Sequence, residues 1–237
     1  MKVAIINFSG NVGKTTIAQQ LLAPRMNAPE FAVETINAGA SDDVGDDVER
    51  LKGKEFGSLQ EELMQIDSAI VDIGASNVED FVKLMGQFDG SHEEFNYYVV
   101  PVVSEKKQQA DTVNTIKTLS GLGVPAKKIR VVFNKVDVDD AGDLPRLFGP
   151  MFGYHDAHKG FTLRPDAVLF CNEIFERLRP LKMSVAEVVA DETDYRAILR
   201  EAKDESGKAH AVSMISAQRL AKSAHKNLDD VFKALFK

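Results

Sequence analysis

The sequence predicts an α/β protein: a doubly wound, mostly parallel sheet with helices on both faces and a helical C-terminal extension. Three observations carry this. Short apolar or β-branched runs alternate with helical patterns as far as Phe170, and strands joined by helices return parallel through right-handed crossovers. The first run, Lys2 to Asn7, is almost continuously apolar, as suits a strand buried on both faces. Beyond Arg179 the strand-like runs stop and the chain reads as helices. The expected division is a core over 1–180 and an extension over 181–237 packed on the same domain.

The elements follow in order. After the opening strand, Thr15 to Leu22 is expected as a helix stopped by Pro24. Phe31 to Ile36 is a second strand. Ala40 to Gln65 is polar and acidic, with Asp42, Asp43, Asp46, Asp47 and Glu49. It reads as a mobile loop and then a helix from Ser58, where Ser58 and Glu61 have capping-box spacing. Ser68 to Ile73 is a third strand and Val78 to Phe88 a helix. Asn96 to Val103 is an aromatic and β-branched strand, and Asp111 to Leu119 a helix. Ile129 to Phe133 is a strand ending at Asn134, and Ala167 to Phe170 is the last short strand. Gly207 reads as a break before a final helix from about Ala211.

Composition removes several function classes. Of the 237 residues, 44% are hydrophobic and 27% charged, an ordinary balance for a globular domain of this size. The formal net charge of −7 gives the whole molecule no attraction to DNA or acidic lipid, so either contact would need a local basic patch. No apolar run reaches the ~18–20 residues of a membrane span, and the start is a charged strand, unlike a signal peptide. One cysteine, Cys171, allows no internal disulfide and suits a reducing cytoplasm. Following an apolar run, it reads as a small buried hydrophobe. The five histidines show no zinc spacing with it.

The chemistry begins at the turn after the first strand. Gly10, Asn11, Val12, Gly13, Lys14, Thr15 and Thr16 have the layout of a phosphate-binding loop. Backbone N–H groups at a helix N-terminus point at an anion, and the helix dipole favours negative charge there. Lys14 can reach terminal phosphates and the Thr15 hydroxyl can ligate Mg²⁺. The first glycine of the usual pattern is missing, since Phe8 occupies that position. Ligands of a doubly wound sheet bind beyond the carboxyl ends of its strands. Three further candidates fall there: Asp72, which could hold Mg²⁺ through water; Asn134, whose amide could read a base edge; and the segment Asn37 to Gly39. Singly, each also reads as a turn former.

These residues carry a resemblance. The run Ser9-Gly10-Asn11-Val12-Gly13-Lys14-Thr15-Thr16 resembles the deviant Walker A loop of ParA/MinD-type ATPases. Asp72-Ile73-Gly74 is similar to that family's Walker B segment, and Asn134 matches its adenine-side asparagine. The likeness covers roughly residues 1–175. The opening run, with Ile36-Asn37-Ala38-Gly39-Ala40-Ser41-Asp42-Asp43, resembles more narrowly the StbB-type plasmid stability proteins. The resemblance implies an ATP- and Mg²⁺-binding switch acting in plasmid partition, stability or conjugative transfer. It also implies a partner protein of such a system and a nucleotide-dependent homodimer, in the cytoplasm.

The departures are as informative. The family's signature lysine, which reaches the partner's nucleotide, falls at Ser9, and the second glycine of its pair is Asn11. Its two aspartates after strand two align with Asn37 and Gly39, so the carboxylate that orients water is missing; Asp42 and Asp43 lie close enough in sequence to replace it. Binding rests on the loop, Lys14, Thr15 and Mg²⁺, whereas turnover rests on charge at the transition state. A lost finger-type cation can cost ~10³–10⁵ in rate. The candidate catalytic residues are therefore Lys14, Asp72 and Asp42, and turnover is expected to be slow or partner-stimulated. Two rivals stay open: a non-hydrolysing nucleotide-dependent adaptor, and a GTP-binding protein or small-molecule kinase. The second rests on Asn134-Lys135-Val136-Asp137, which resembles a guanine-recognition motif.

Two weaker patterns remain. Lys106 and Lys107, with Lys127, Lys128 and Arg130, could contribute to a patch for DNA phosphates, although a solvated surface is the simpler reading. Leu228, Val231, Phe232, Leu235 and Phe236 form one apolar helical face in a locally basic segment. Docking on protein is expected, and not on membrane, because Asp229 and Asp230 lie at its start and oppose an acidic surface.

Overall fold

The computed structural model describes residues 1–34, 49–51, 55–181 and 183–237, with the backbone alone for 49–51. The expected strand residues Thr35 and Ile36, the segment Asn37 to Gly39, and Asp42 and Asp43 lie outside the described residues.

Among the described residues, seven strands form one sheet in the order β3-β2-β4-β1-β5-β6-β7. They are β1 (Lys2–Ile5), β2 (Glu30–Val33), β3 (Glu49–Leu51), β4 (Ala69–Ile73), β5 (Tyr97–Val102), β6 (Ile129–Val136) and β7 (Val168–Phe170). Every pairing is parallel. The apolar character of β1 follows from its place, since it lies between β4 and β5 with Val3, Ala4 and Ile5 fully buried. β3 was not expected; two of its three residues are charged, and it is a strand because it pairs with β2.

Alternation along the strands gives each face its own core. Ala4, Val71, Tyr98, Val100, Val131 and Phe133 point to one face. There they meet α3 (Phe56–Gln65), α4 (Val78–Gln87), α5 (Lys106–Gly121) and α7 (Gly149–His158), with α6 (Leu144–Leu147) beside them. Val3, Ile5, Ile70, Val99 and Val132 point to the other face. It is covered by the helix after the first turn, α8 (Ile174–Leu178), α9 (Val185–Ala190) and α11 (Glu205–Phe236), with α10 (Tyr195–Glu201) packed on α11.

Several local expectations are corrected. Pro24 does not stop the first helix. α1 (Lys14–Thr16) continues through a π-helical stretch, Ile17–Leu22, into α2 (Ala23–Met26), which ends at Asn27 with φ 47°. The wide turn places Pro24 early in α2, and Arg25 Nη1 donates to the carbonyls of Gln20 and Leu21 at 3.0 and 3.1 Å. α3 begins at Phe56, so the Ser58–Glu61 spacing does not form a cap. α5 extends beyond its expected span at both ends, and α6 and α7 occupy a stretch left unassigned. Gly207 does not break a helix: α11 runs 32 residues from Glu205, and the Asp204 side chain caps it by accepting from Gly207 N at 2.7 Å.

The apolar C-terminal face docks on protein. Leu228, Val231 and Leu235 are buried, and the Phe236 ring meets Tyr97 edge-on at 5.1 Å. Asp229 lies well inside α11, where it pairs with Arg25 at 2.7 Å. Asn227 serves the outer strand β7, donating to Val168 O at 2.8 Å and accepting from Phe170 N at 3.0 Å. That blunts an edge which would otherwise invite pairing. Among the described residues, no helix is long and apolar enough to cross a membrane.

Candidate nucleotide-phosphate site

The turn between β1 and α1 is held by its carbonyls. Lys14 Nζ donates to Asn7 O at 3.0 Å and Ser9 O at 2.9 Å. From α5, Gln108 Nε2 donates to Gly10 O at 3.2 Å. From β6, Lys135 Nζ donates to Asn11 O at 3.0 Å and Asn134 Nδ2 to Val12 O at 2.7 Å. In a trans peptide, one residue's carbonyl and the next residue's N–H point in opposite directions. Carbonyls of Gly10, Asn11 and Val12 drawn toward α5 and β6 therefore turn the N–H groups of Asn11, Val12 and Gly13 the other way, into the loop. Ile17 N then donates to Gly13 O at 3.0 Å and starts the helix, with Thr15 and Thr16 in its first turn. The result is a concave row of donors with a helix N-terminus beside it, an arrangement that favours an anion.

Backbone conformation explains two residue choices. Gly13 has φ 88°, and a Cβ there would overlap the Asn134 amide nitrogen. Asn11, at the position of the resembled pattern's second glycine, has φ 60°. Asparagine is among the few non-glycine residues that tolerate this region.

Asn7 anchors the loop entrance. It is fully buried; its amide donates to Pro101 O and Thr112 Oγ1, each at 2.8 Å, and its oxygen accepts from Ser9 N at 2.8 Å. Thr115 accepts from Phe8 N at 3.1 Å. Lys14 is 8% exposed, and burial lowers its pKa to about 8 against the opposing pull of Asp72. A phosphate would restore the charge that burial disfavours.

The other side of the loop is acidic. Thr15 Oγ1 donates to Asp72 Oδ2 at 2.7 Å. Burial raises the Asp72 carboxyl above its ordinary range; the Thr15 bond and Lys14 oppose this, and Glu34 adds to it. Its second oxygen, Oδ1, is buried with no hydrogen-bond partner among the described residues. Glu34, directly after β2, and Glu30 line the same cleft with Thr15, Gln19 and Asp72. Burial and then Asp72 raise the Glu30 carboxyl. An orphaned carboxylate oxygen next to a hydroxyl is a set of hard donors that fits Mg²⁺.

The structure thus brings together Gly10 to Thr16, Asp72 and Asn134. Asn134 is 4% exposed, and both ends of its amide are engaged, since its oxygen accepts from Lys135 N at 2.9 Å. Asp42 lies outside the described residues. Asn7, Glu34, Gln108, Thr115 and Lys135 were missed. Asn7, a polar end to an apolar run, and Glu34, an acid at a strand end, carried a faint signal, and Lys135 lay within the run resembling a guanine-recognition motif; Gln108 and Thr115 carried none.

Two other expectations change. Cys171 is exposed and beside Asp137; partial burial and then that carboxylate raise its thiol. The five basic residues do not make one patch. Lys106 and Lys107 open α5 after β5, whereas Lys127, Lys128 and Arg130 lie at the start of β6, the opposite end of the sheet. Lys128 is spent on Phe95 O at 2.8 Å, and Arg130 lies over the Tyr97 ring. Among the described residues, no group of three or more metal-ligating His, Cys, Asp or Glu side chains occurs.

Comparison with known proteins adds the fold. No family model and no curated protein matches the sequence. Apo McdA from Cyanothece superposes with a TM-score of 0.56 at 12% identity, over 98% of each chain. The MinD cell division protein of Aquifex aeolicus gives 0.51 at 15% identity, over 93% of this chain and 96% of that one. This chain has the McdA and MinD fold. pNOB8 ParA aligns more loosely, with a TM-score of 0.48 at 12% identity over 96% of this chain and 98% of that one. At such identities the likeness speaks to architecture, and the chemistry has to be argued from the site.

Proposed function

We propose that this protein is a Mg-ATP-binding switch with slow or partner-stimulated hydrolysis, acting in plasmid partition, stability or conjugative transfer. The single observation behind nucleotide binding is the loop whose carbonyls are held outward by Gln108, Lys135 and Asn134 while Lys14 closes its base. Thr15 and Asp72 would hold Mg²⁺, which supplies charge neutralisation between phosphate oxygens and the acidic cleft. Lys14 binds and orients the terminal phosphates. Ser9 brings no cation across to a partner's nucleotide, which supports slow turnover, and Asp42 is the candidate for orienting water. The StbB-type resemblance supports the plasmid role, a partner protein of such a system, a nucleotide-dependent homodimer and a cytoplasmic setting. The buried apolar face of α11 supports reading 181–237 as an extension of the same domain.

One observation favours a second reading. Asp137 follows β6 directly and lies against Cys171 beside the loop. A carboxylate there could accept from the ring N–H and amino group of guanine, donors that adenine lacks at those positions. One titration separates the readings: ATP, ADP and GTP with Mg²⁺, with turnover followed in the same sample. The proposal expects ATP to bind more tightly than GTP and turnover below the ~1 s⁻¹ lower end for ordinary enzymes. Tighter GTP binding selects the second reading. Tight binding with no turnover, even with added partner, makes the protein a non-hydrolysing adaptor.

A further inference from the structure

We infer that Asn134 and Lys135 act on the nucleotide through the phosphate loop, as positioning residues that hold its carbonyls outward. The inference rests on the nucleotide-binding reading above and assigns work within that site.

Three observations converge on it. Asn134 has both ends of its amide engaged at the loop: one N–H of its nitrogen goes to Val12 O and its oxygen accepts from Lys135 N. Losing either bond in a nearly dry environment is costly, so the amide holds the Val12 carbonyl firmly. Next, Gly13 packs so closely on the Asn134 amide that any side chain at position 13 would displace it. The amide is thus part of the loop's wall. Last, β6 is irregular at this point. Its register against β7 shifts between Asn134 and Val136, and Lys135 has φ 55°. In a regular strand neighbouring side chains point to opposite faces. The bulge lets two consecutive side chains reach two consecutive loop carbonyls, Val12 and Asn11. A non-glycine residue in the left-handed region is strained, and such strain persists where the surroundings over-determine it.

The consequence is a preorganised cradle. With the carbonyls of Asn11 and Val12 tied back, the N–H groups of Val12 and Gly13 face an incoming phosphate without first rotating. Lys135 also brings a second ammonium to the rim of a loop that has Ser9 in place of the family's lysine.

The test uses an anion without a base. Mg-ATP and inorganic tripolyphosphate with Mg²⁺ are titrated into the full-length wild-type protein and into Asn134→Ala, Lys135→Met and Lys135→Arg. Asn134→Ala and Lys135→Met should each weaken both ligands, tripolyphosphate by ~10-fold. Lys135→Arg, which can still donate to Asn11 O, should keep both affinities. In ligand-free protein, hydrogen exchange at the amides of Asn11, Val12 and Gly13 should speed up in the two weakened variants. An Asn134→Ala protein that loses ATP and keeps tripolyphosphate would assign Asn134 to the base and not to the loop, and overturn the inference. Unchanged affinities and exchange would overturn it as well. If Asn134→Ala does not fold, Lys135→Met carries the test, because Lys135 is exposed. Wild-type protein that binds neither ligand would overturn the proposed function, and the exchange measurement would still decide whether the pair holds the loop.

Discussion

The two sides of the phosphate loop differ in how complete they are without a ligand. Toward α5 and β6, carbonyls meet donors and the Asn134 amide is used at both ends. Toward β2 and β4, three carboxylates share a cleft, and one oxygen of Asp72 is buried without a partner among the described residues. One side is finished by the fold. The other retains a desolvation and repulsion cost that a cation would relieve. The anion cradle is therefore a property of the chain, and the metal side is a property of the chain plus ligand.

The largest effect should come from the residue between the two sides. Lys14→Ala should weaken Mg-ATP binding ~100-fold or more, since each charge-assisted hydrogen bond to phosphate is worth ~1.5–3 kcal/mol. The melting temperature should hold or rise, because a buried ammonium is lost. Equal ATP affinity in both proteins would remove Lys14 from the site.

Asp72→Asn attacks the unfinished side alone. Mg-ATP affinity should fall ~10-fold while metal-free ATP binding changes little, because hard cations prefer anionic oxygen. Ligand-free stability should move the other way. The Asp72 pKa is raised, so the native state binds more protons than the unfolded chain above pH 3.8. Stability from this group is lost as pH rises through that window, and at neutral pH the asparagine variant should melt higher. The same Mg²⁺ dependence in both proteins would reduce Asp72 to a strand-end residue.

A graded effect comes from the pH response of Lys14, held at about 8 instead of its ordinary 10.5. Between those values the unfolded chain binds more protons, so the ligand-free fold should gain stability as pH rises. ATP favours the ammonium, so binding above pH 8 takes up a proton, and affinity should fall by up to ~10-fold per pH unit. Lys14→Arg, charged throughout, should flatten both curves. A pH-independent wild type would show that the lysine keeps its proton in both states.

The smallest effect lies far from the loop. Arg25→Ala removes the bond to Asp229 and three carbonyl contacts, and should cost ~1–2 kcal/mol of stability with nucleotide affinity unchanged. A shift in ATP affinity beyond twofold would show that the α2–α11 contact is not independent of the site.

What the sequence made legible follows from range. β1, β4 and β5 are apolar because they are interior strands of a parallel sheet, and that signal is local. Lys14, Thr15 and Asp72 came together on paper because ligands gather at strand carboxyl ends. β3 was invisible because its strand character comes from β2. Gly207 misled because a cap from Asp204 outweighs glycine's ~1 kcal/mol helix cost. Pro24 misled because a π-helical stretch and Arg25 absorb it. Asn134 was picked as a polar residue at a strand end, but its partner was not readable. Val12 lies 122 residues away, and nothing in composition encodes such a pairing.

Strand order gives the loop a history as well as a shape. β1 is made first yet lies near the middle of the sheet, and Gln108, Asn134 and Lys135 arrive 98, 122 and 124 residues after the atoms they hold. Closures of that span are slow beside helix formation. A nascent chain therefore carries the phosphate motif throughout most of its synthesis without a binding site. On the proposed function, nucleotide capture would then act as a checkpoint: a chain released before β6 emerges has the sequence of the loop and lacks the two residues that hold Asn11 O and Val12 O.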